Sequence, residues 1–125
     1  MNAVNHVMLI DDSDDDNYIH QRVITRASFA KKVTVFNYAH QALEFLRVTP
    51  NSVVDIIFLD INMPRMDGFE FLVAYAQLPA PQRAAKLYFM LSANLMAQDQ
   101  RKADASPFVD GFIAKPLTPE SLAAL

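Results

Sequence analysis

Apolar residues fall into five short runs along the chain, and segments with helical spacing separate them. The runs cover residues 6–10, 33–36, 55–59, 86–91 and 108–114. They are rich in Val, Ile, Phe and Tyr and mostly lack strict alternation, which is typical of strands buried on both faces of a parallel sheet. The pattern therefore predicts five parallel strands.

The segments between the runs carry apolar residues at helical spacing. These are Ile19, Val23 and Ala27, then Ala42, Leu43 and Leu46, then Phe69, Leu72, Val73 and Ala76. The third set has the i, i+3, i+4, i+7 pattern of a stripe that faces the core. Residues 94–104 are mostly polar and have the weakest helical pattern. Thr118 and Pro119 predict the N-cap and first residue of a last helix.

The strand–helix order, repeated five times, predicts an α/β fold with an open parallel sheet and helices on both faces. In such sheets the functional site lies beyond the carboxyl ends of the strands. The search for chemistry is thereby reduced to the residues that follow the five runs.

Composition narrows the class of protein. The 125 residues fit a single domain, 1–125, and are 52% hydrophobic and 20% charged. The net charge of −3 argues against direct binding of nucleic acid, which needs a basic face. Disulfides are excluded because the chain has no cysteine. Neither a signal peptide nor an apolar run of membrane-spanning length is evident, so we expect a cytoplasmic domain without membrane insertion.

Polar side chains follow four of the five runs. Asp11 and Asp12 follow the first, Asp60 the third, Ser92 the fourth and Lys115 the fifth. Each alone could cap a loop or lie on the surface, but their joint placement at strand ends favours one shared site. Clustered carboxylates form a hard-oxygen site suited to Mg²⁺ or Mn²⁺.

An aspartate can also act as a nucleophile toward phosphorus, and a metal with one lysine supplies the charge neutralisation that phosphoryl transfer needs. Asp60 is the best candidate nucleophile because it ends the most apolar run.

Four motifs, in the same order and spacing, resemble those of the receiver domain of two-component response regulators: "LIDDSDDD", "DIIFLDINMPRMDG", "MLSAN" and "DGFIAKPL". The resemblance covers nearly the whole chain. It implies a doubly wound, flavodoxin-like (βα)5 sandwich with strand order 2-1-3-4-5. It also implies a Mg²⁺-dependent switch that accepts a phosphoryl group from a histidine kinase or a histidine phosphotransfer protein. Such a domain is not an ordinary enzyme, although it catalyses its own phosphotransfer and dephosphorylation.

The resemblance also assigns roles around the acceptor. By it, Asp60 accepts the phosphoryl group, Asp12 is a direct Mg²⁺ ligand, and Asp11 lies nearby and acts through water. Asn62 would contribute its backbone carbonyl to the metal. Lys115 would pair first with the acceptor carboxylate and then with the phosphoryl group.

Further positions match the switch of the family. Ser92 stands at the position of the hydroxyl that moves to the phosphoryl oxygen, and the small Ala93 beside it leaves the acceptor accessible. Phe112 matches the aromatic residue whose rotamer follows. The Lys115–Pro116 bond is expected to be cis, an isomer that only proline makes cheap. Through these changes the face of the fourth helix, the fifth strand and the last helix would alter its affinity for an unknown protein target.

Two local features have structural interpretations. Asp14, Asp15 and Asp16 are predicted to open the first helix, where negative charge is favourable. They do not complete a calcium loop, since Asn17 occupies the glycine position and Val23 the position of the twelfth-residue glutamate. Gly68 is expected to adopt a turn conformation with positive φ.

Other functions remain to be weighed. A phosphatase of the haloacid dehalogenase type also uses a strand-end aspartate, but it needs a second acid two residues on, where this chain has Asn62. A degenerate receiver that binds partners without phosphorylation usually lacks one of the site residues. Within the family, the chain could act alone or come from a longer regulator or hybrid kinase. Only about two helical turns follow Thr118, so the last helix is short or the chain has been trimmed.

Overall fold

Five strands form one all-parallel sheet, with the order β2-β1-β3-β4-β5. The protein is represented by a computed structural model that describes residues 4–49, 54–91 and 106–125. The strands are β1 (Val4–Ile10), β2 (Ala30–Phe36), β3 (Ile56–Asp60), β4 (Lys86–Leu91) and β5 (Gly111–Ala114). The predicted fold class is confirmed, including the strand order.

Four α-helices and one 3-10 turn are present among the described residues. The α-helices are α1 (Asp14–Arg26), α2 (Ala39–Val48), α3 (Gly68–Tyr75) and the C-terminal helix (Pro119–Ala123); the 3-10 turn is Ala80–Gln82. Residues 94–104, with the predicted fourth helix, lie within the span 92–105, outside the described residues. No helix in the described part of the chain is both long and apolar enough to cross a membrane.

The sheet separates two apolar clusters, because successive side chains of a strand point to opposite faces. Met8 and Ile10 of β1 belong to the cluster that contains residues of α2 and α3. Val7 and Leu9 belong to the opposite cluster, together with residues of α1 and the C-terminal helix. Since β1, β3 and β4 are covered on both faces, their residues are almost all buried, as the continuous apolar runs predict.

The helix N-termini are largely as the sequence predicts. Asp14, Asp15 and Asp16 form the first turn of α1, but the cap itself is Ser13, whose hydroxyl accepts from the Asp16 N–H. Thr118 caps the C-terminal helix reciprocally with Ser121. The C-terminal helix has five residues.

The apolar spacing coincides with the buried face in α2 but only in part in α1, where Val23 is partly buried. In α2, Ala42 and Leu46 are buried and Leu43 is partly so. The buried residues of α1 are Asn17, His20 and Ile24, whereas Ile19 is 45% exposed. The side-chain N–H of Asn17 donates to the Asp11 carbonyl oxygen over 2.8 Å, which offsets part of the cost of burial, since its Oδ1 has no hydrogen-bond partner among the described residues.

The face of α3 also differs from the predicted stripe. Its buried residues are Gly68, Phe71, Leu72 and Tyr75, and Val73 is 70% exposed. The Tyr75 hydroxyl accepts from the backbone N–H of Ala84 over 2.8 Å, which satisfies its polar end at the inner surface. The buried face of α3 therefore lies about one residue toward the N-terminus from the predicted apolar stripe.

Candidate functional site

Carboxylates from two strands converge at one edge of the sheet. Asp11 follows β1 and is 4% exposed, and Asp60 is the last residue of β3 and is 7% exposed. Asp12 is exposed beside them. Each of the three offers a carboxylate oxygen, and these oxygens lie within 4.8 Å of one another. The parallel topology brings them together, because β1 and β3 are neighbours that end at the same edge.

Hydrogen bonds fix the conformation of Asp11. Its Oδ1 accepts from the Ser13 N–H over 2.9 Å, and its main-chain carbonyl accepts from the Asn17 amide. The Asn37 amide donates to the Asp14 carboxylate over 2.7 Å and lies 3.5 Å from the same carbonyl. The start of α1 and the end of β2 therefore hold the loop that carries Asp11 and Asp12.

Lys115, at the end of β5, forms ion pairs with three carboxylates and donates hydrogen bonds to two of them, Asp11 and Asp16. Its Nζ lies 2.7 Å from Oδ2 of Asp11, 3.1 Å from Oδ2 of Asp16 and 3.3 Å from Oδ1 of Asp60. Only 16% of the lysine side chain is exposed. One cation thus faces four nearby carboxylates, including Asp12, and the site keeps a net negative charge.

The pKa values of both Asp60 and Lys115 are raised, although burial acts on them in opposite directions. Burial, followed by the negative charge of Asp11, raises the pKa of Asp60 from 3.8 to about 6, although Lys115 opposes the shift. Burial alone would lower the pKa of Lys115. The hydrogen bond to Asp11 and the charges of Asp60 and Asp11 outweigh that effect, so the pKa of Lys115 lies above its usual value.

The donor set fits a hard divalent cation. Three carboxylates offer only oxygen ligands, which Mg²⁺ and Mn²⁺ prefer, and no histidine or cysteine belongs to the cluster. Burial is the first cause of the raised pKa of Asp60, and the negative charge of Asp11 is the second. A bound cation would compensate this charge, so the residues present suit the predicted metal.

The loop after β3 approaches the site closely at Gly68. A Cβ at this position would lie 2.6 Å from Cε1 of Phe89, 3.0 Å from Cα of Ile61 and 3.3 Å from the Asp60 carbonyl oxygen. The predicted positive φ is wrong, since no described glycine has one. Gly68 is instead required by close packing, and the residue with positive φ in the β3–α3 connection is Arg65, at 70°.

Arg65 also links two loops near the strand ends. Its guanidinium lies 4.9 Å from the centroid of the Tyr38 ring, in a cation–π contact. Tyr38 precedes α2 and stacks on His40 at 5.7 Å. The contact joins the β2–α2 connection to the β3–α3 connection.

Phe112 lies in β5, half-buried, and its ring stacks on Phe89 with a centroid distance of 6.4 Å and an interplanar angle of 16°. Phe89 in turn contacts the Phe69 ring at 5.5 Å and lies against Gly68. A continuous aromatic contact therefore connects β5 to the start of α3, next to Asp60.

The remaining predicted positions differ in what the structure says of them. Ser92 and Ala93 lie outside the described residues. Asn62 is exposed in the loop after β3. The Lys115–Pro116 peptide bond is cis.

Two side chains at the site were not predicted from the sequence to lie there. Asp16 was assigned only to the start of the helix, yet its carboxylate contacts Lys115. Asn17 was given no role, yet it anchors Asp11. The surplus of aspartates beyond those needed for a metal was the one signal for Asp16.

Comparison with known proteins decides the family. The response regulator receiver domain model matches residues 7–125. This chain belongs to the response regulator receiver domain family. Receiver domains are phosphoacceptor switches rather than classical enzymes, and the family binds Mg²⁺ at an acidic pocket.

Curated relatives of this receiver domain occur both in kinases and in regulators. It is 25% identical to Hybrid signal transduction histidine kinase B of Dictyostelium discoideum, over 82% of the chain and 6% of the kinase. It is 30% identical to Two-component response regulator ORR1 of Oryza sativa subsp. japonica, over 92% of the chain and 51% of that protein. The chain thus spans about half of the plant regulator and a small part of the kinase.

A solved structure shows the same fold. The response regulator receiver protein from Dyadobacter fermentans superposes with a TM-score of 0.85 and 28% identity, and 98% of this receiver domain and 95% of that chain are covered. The predicted recognition and fold are confirmed by this likeness and the family match.

Proposed function

We propose that this receiver domain is a phosphorylation-activated switch in which Asp60 accepts a phosphoryl group. The convergence of Asp11, Asp12 and Lys115 on the buried Asp60 carboxylate carries the proposal. Three features suit such an acceptor: carboxylates that can bind a divalent cation, the ammonium group of Lys115, and an aspartate at the end of a strand.

The donor is a phosphohistidine on a histidine kinase or a histidine phosphotransfer protein. A carboxylate oxygen of Asp60 attacks the phosphorus, an O–P bond forms, and the N–P bond to the donor's imidazole breaks. Hydrolysis later returns the aspartate, as water attacks phosphorus and inorganic phosphate leaves. With a pKa of about 6, Asp60 is mostly ionised at neutral pH and so available as a nucleophile.

Asp12 and Asp60 would bind Mg²⁺ directly, the backbone carbonyl of Asn62 would add a ligand, and Asp11 would act through water. Mn²⁺ is a possible substitute. When bound, the ion would neutralise charge on the phosphoryl oxygens. The hydrogen bonds from Ser13 and Lys115 that already engage both oxygens of Asp11 support the indirect role of that residue.

The conformational switch begins when Lys115 and Ser92 change their contacts in response to the phosphoryl group. Lys115 transfers its contact from the Asp60 carboxylate to the phosphoryl group, and the Ser92 hydroxyl bonds to a phosphoryl oxygen beside Ala93. Phe112 then changes rotamer. Its stacking on Phe89 supports this step, since Phe89 also packs against Gly68 next to the acceptor. The surface of β5, the C-terminal helix and the segment before β5 thereby alters its affinity for a protein target.

The setting of the domain is also a proposal. The relatives include hybrid kinases and regulators, so the domain acts by itself or within a longer protein. Signalling through protein contact, rather than direct binding of nucleic acid, agrees with the net charge of −3. We propose a cytoplasmic location, where kinases of this system donate their phosphoryl groups.

The first test is the intact mass after incubation with acetyl phosphate, with Mg²⁺ or with a chelator. We expect one added phosphoryl group that depends on Mg²⁺ in the wild type and is absent in Asp60→Asn. Adduct formation in a folded Asp60→Asn variant would overturn the acceptor assignment. Continuous release of phosphate from varied phosphomonoesters, without a phosphorylated state, would instead favour a phosphatase.

The metal assignment has its own test. Asp12→Ala removes the most exposed carboxylate of the cluster, so it should weaken Mg²⁺ binding and with it the labelling by acetyl phosphate. Asp15→Ala changes an exposed aspartate in the first turn of α1, so it is the matched control and should leave both unchanged. Equal Mg²⁺ affinity in the wild type and Asp12→Ala would place the metal elsewhere.

A further inference from the structure

Asp16 lies closer to the site lysine than the acceptor does. Its Oδ2 is 3.1 Å from Lys115 Nζ, against 3.3 Å for Oδ1 of Asp60. Asp14 and Asp15, in the same helix turn, are exposed, and Asp14 is held by Asn37 instead. Negative charge at a helix start is favourable in any of the three positions. The helix dipole therefore does not account for a side chain aimed at Lys115.

We infer that Asp16 is a positioning residue that holds the Lys115 ammonium on the α1 side of the site and competes for it with a phosphoryl group on Asp60. The inference rests on the proposed function, because it assigns Lys115 to the phosphoryl group.

The hydrogen-bonding capacity of the lysine supports this competition. An ammonium group has three N–H donors, of which Asp11 and Asp16 accept hydrogen bonds, and Asp60 lies beside it as an ion pair at 3.3 Å. A phosphoryl group on Asp60 competes with these carboxylates for the ammonium. The Asp16 carboxylate is 38% exposed, against 5% for Asp11 and 10% for Asp60, so water can replace its contact at the lowest cost.

The negative charge of Asp16 also disfavours the phosphorylated form. A phosphoryl group on Asp60 adds negative charge to a site that already has several carboxylates and one ammonium. Removing the charge of Asp16 reduces the repulsion and also frees a lysine donor. Both effects favour the phosphorylated form, so Asp16 keeps the resting state populated.

The experiment compares wild type, Asp16→Asn and the control Asp15→Asn. Nitrogen-15 NMR of the Lys115 Nζ resonance, assigned with Lys115→Arg, reports the contact directly in the protein without metal. Titration with beryllofluoride at saturating Mg²⁺, followed by amide NMR, reports the affinity for a phosphoryl mimic. We expect Asp16→Asn to shift the Lys115 resonance and to tighten beryllofluoride binding roughly two- to fivefold, the scale of a partly exposed ion pair. Asp15→Asn should do neither.

Two results would overturn the inference. One is an unshifted Lys115 resonance in Asp16→Asn, which would mean that the contact does not hold the ammonium. The other is a shifted resonance with equal or weaker beryllofluoride affinity, which would mean that the contact does not compete. Failure of the wild type to bind beryllofluoride would contradict the proposed function instead, and the Lys115 resonance would still decide whether Asp16 positions the lysine.

Discussion

The ionisation of Asp60 opposes folding when no metal is bound. Its pKa is raised from 3.8 to about 6, chiefly by burial and then by the charge of Asp11. The folded protein therefore holds this proton more tightly than the unfolded chain does. The stabilisation is complete below about pH 4 and is lost as the pH rises through about 6.

Asp60→Asn should for that reason stabilise the metal-free protein at neutral pH. The shift of about two pKa units corresponds to about 3 kcal/mol at most, so we expect a gain of about 1–3 kcal/mol in the free energy of unfolding. Lys115 keeps two partners, Asp11 and Asp16, in the variant. Urea unfolding in chelator at pH 4 and pH 7.5 measures the effect. A gain of equal size at both pH values would contradict this explanation.

At the scale of single elements, hydrophobic pattern predicted which segments are helices better than which faces they bury. The apolar stripe of α1 points partly to solvent because two polar residues occupy its inner face. The side-chain N–H of Asn17 donates to the Asp11 carbonyl, although its buried Oδ1 has no hydrogen-bond partner in the described part of the chain. Burial lowers the pKa of His20 and so favours the neutral ring, although the negative charge of Asp16 opposes this shift. These compensations depend on tertiary contacts, so no pattern of apolar residues could have shown them.

The orientation of α1 can be tested with a matched pair of variants. Ile24 is completely buried, whereas Ile19 is 45% exposed on the same helix. Ile24→Ala should cost about 2–4 kcal/mol of stability, because it leaves a cavity. Ile19→Ala should cost less than about 1 kcal/mol. Denaturant unfolding of both variants gives the comparison, and equal losses would restore the face that the hydrophobic stripe predicts.

The start of α3 makes a second prediction at this scale. Gly68→Ala places a methyl group 2.6 Å from the Phe89 ring and 3.0 Å from the Ile61 backbone, and both are in the core. We expect a loss of about 1–3 kcal/mol in stability from the forced shift. Because Asp60 and Ile61 adjoin the clash, phosphorylation by acetyl phosphate should slow as well. Gly111→Ala is the control, since its nearest atom, Cδ1 of Tyr88, would lie at an ordinary 3.4 Å.

At the scale of the whole molecule, the order of runs predicted the parallel sheet and the edge at which the site lies, whereas the strand order was implied by the resemblance to receiver domains. Asp11, Asp12, Asp60 and Lys115 were brought together by that order alone, although 104 positions separate Asp11 from Lys115. The contact of Asp16 with Lys115 could not be predicted in this way. It depends on the rotation of α1 relative to β5, which is set by side-chain packing across the sheet.

Lys115 joins the first and last strands at the site, so its removal should affect folding and metal binding in opposite directions. Lys115→Gln leaves Asp11 and Asp60 buried without their cation, and we expect a loss of about 3–5 kcal/mol in the metal-free protein. The same change removes positive charge beside the three carboxylates, so Mg²⁺ should bind more tightly and restore part of the stability. Melting temperatures in chelator and in saturating Mg²⁺ measure both effects. A smaller Mg²⁺-induced rise in Lys115→Gln than in the wild type would show that the lysine helps to form the metal site rather than competing with it.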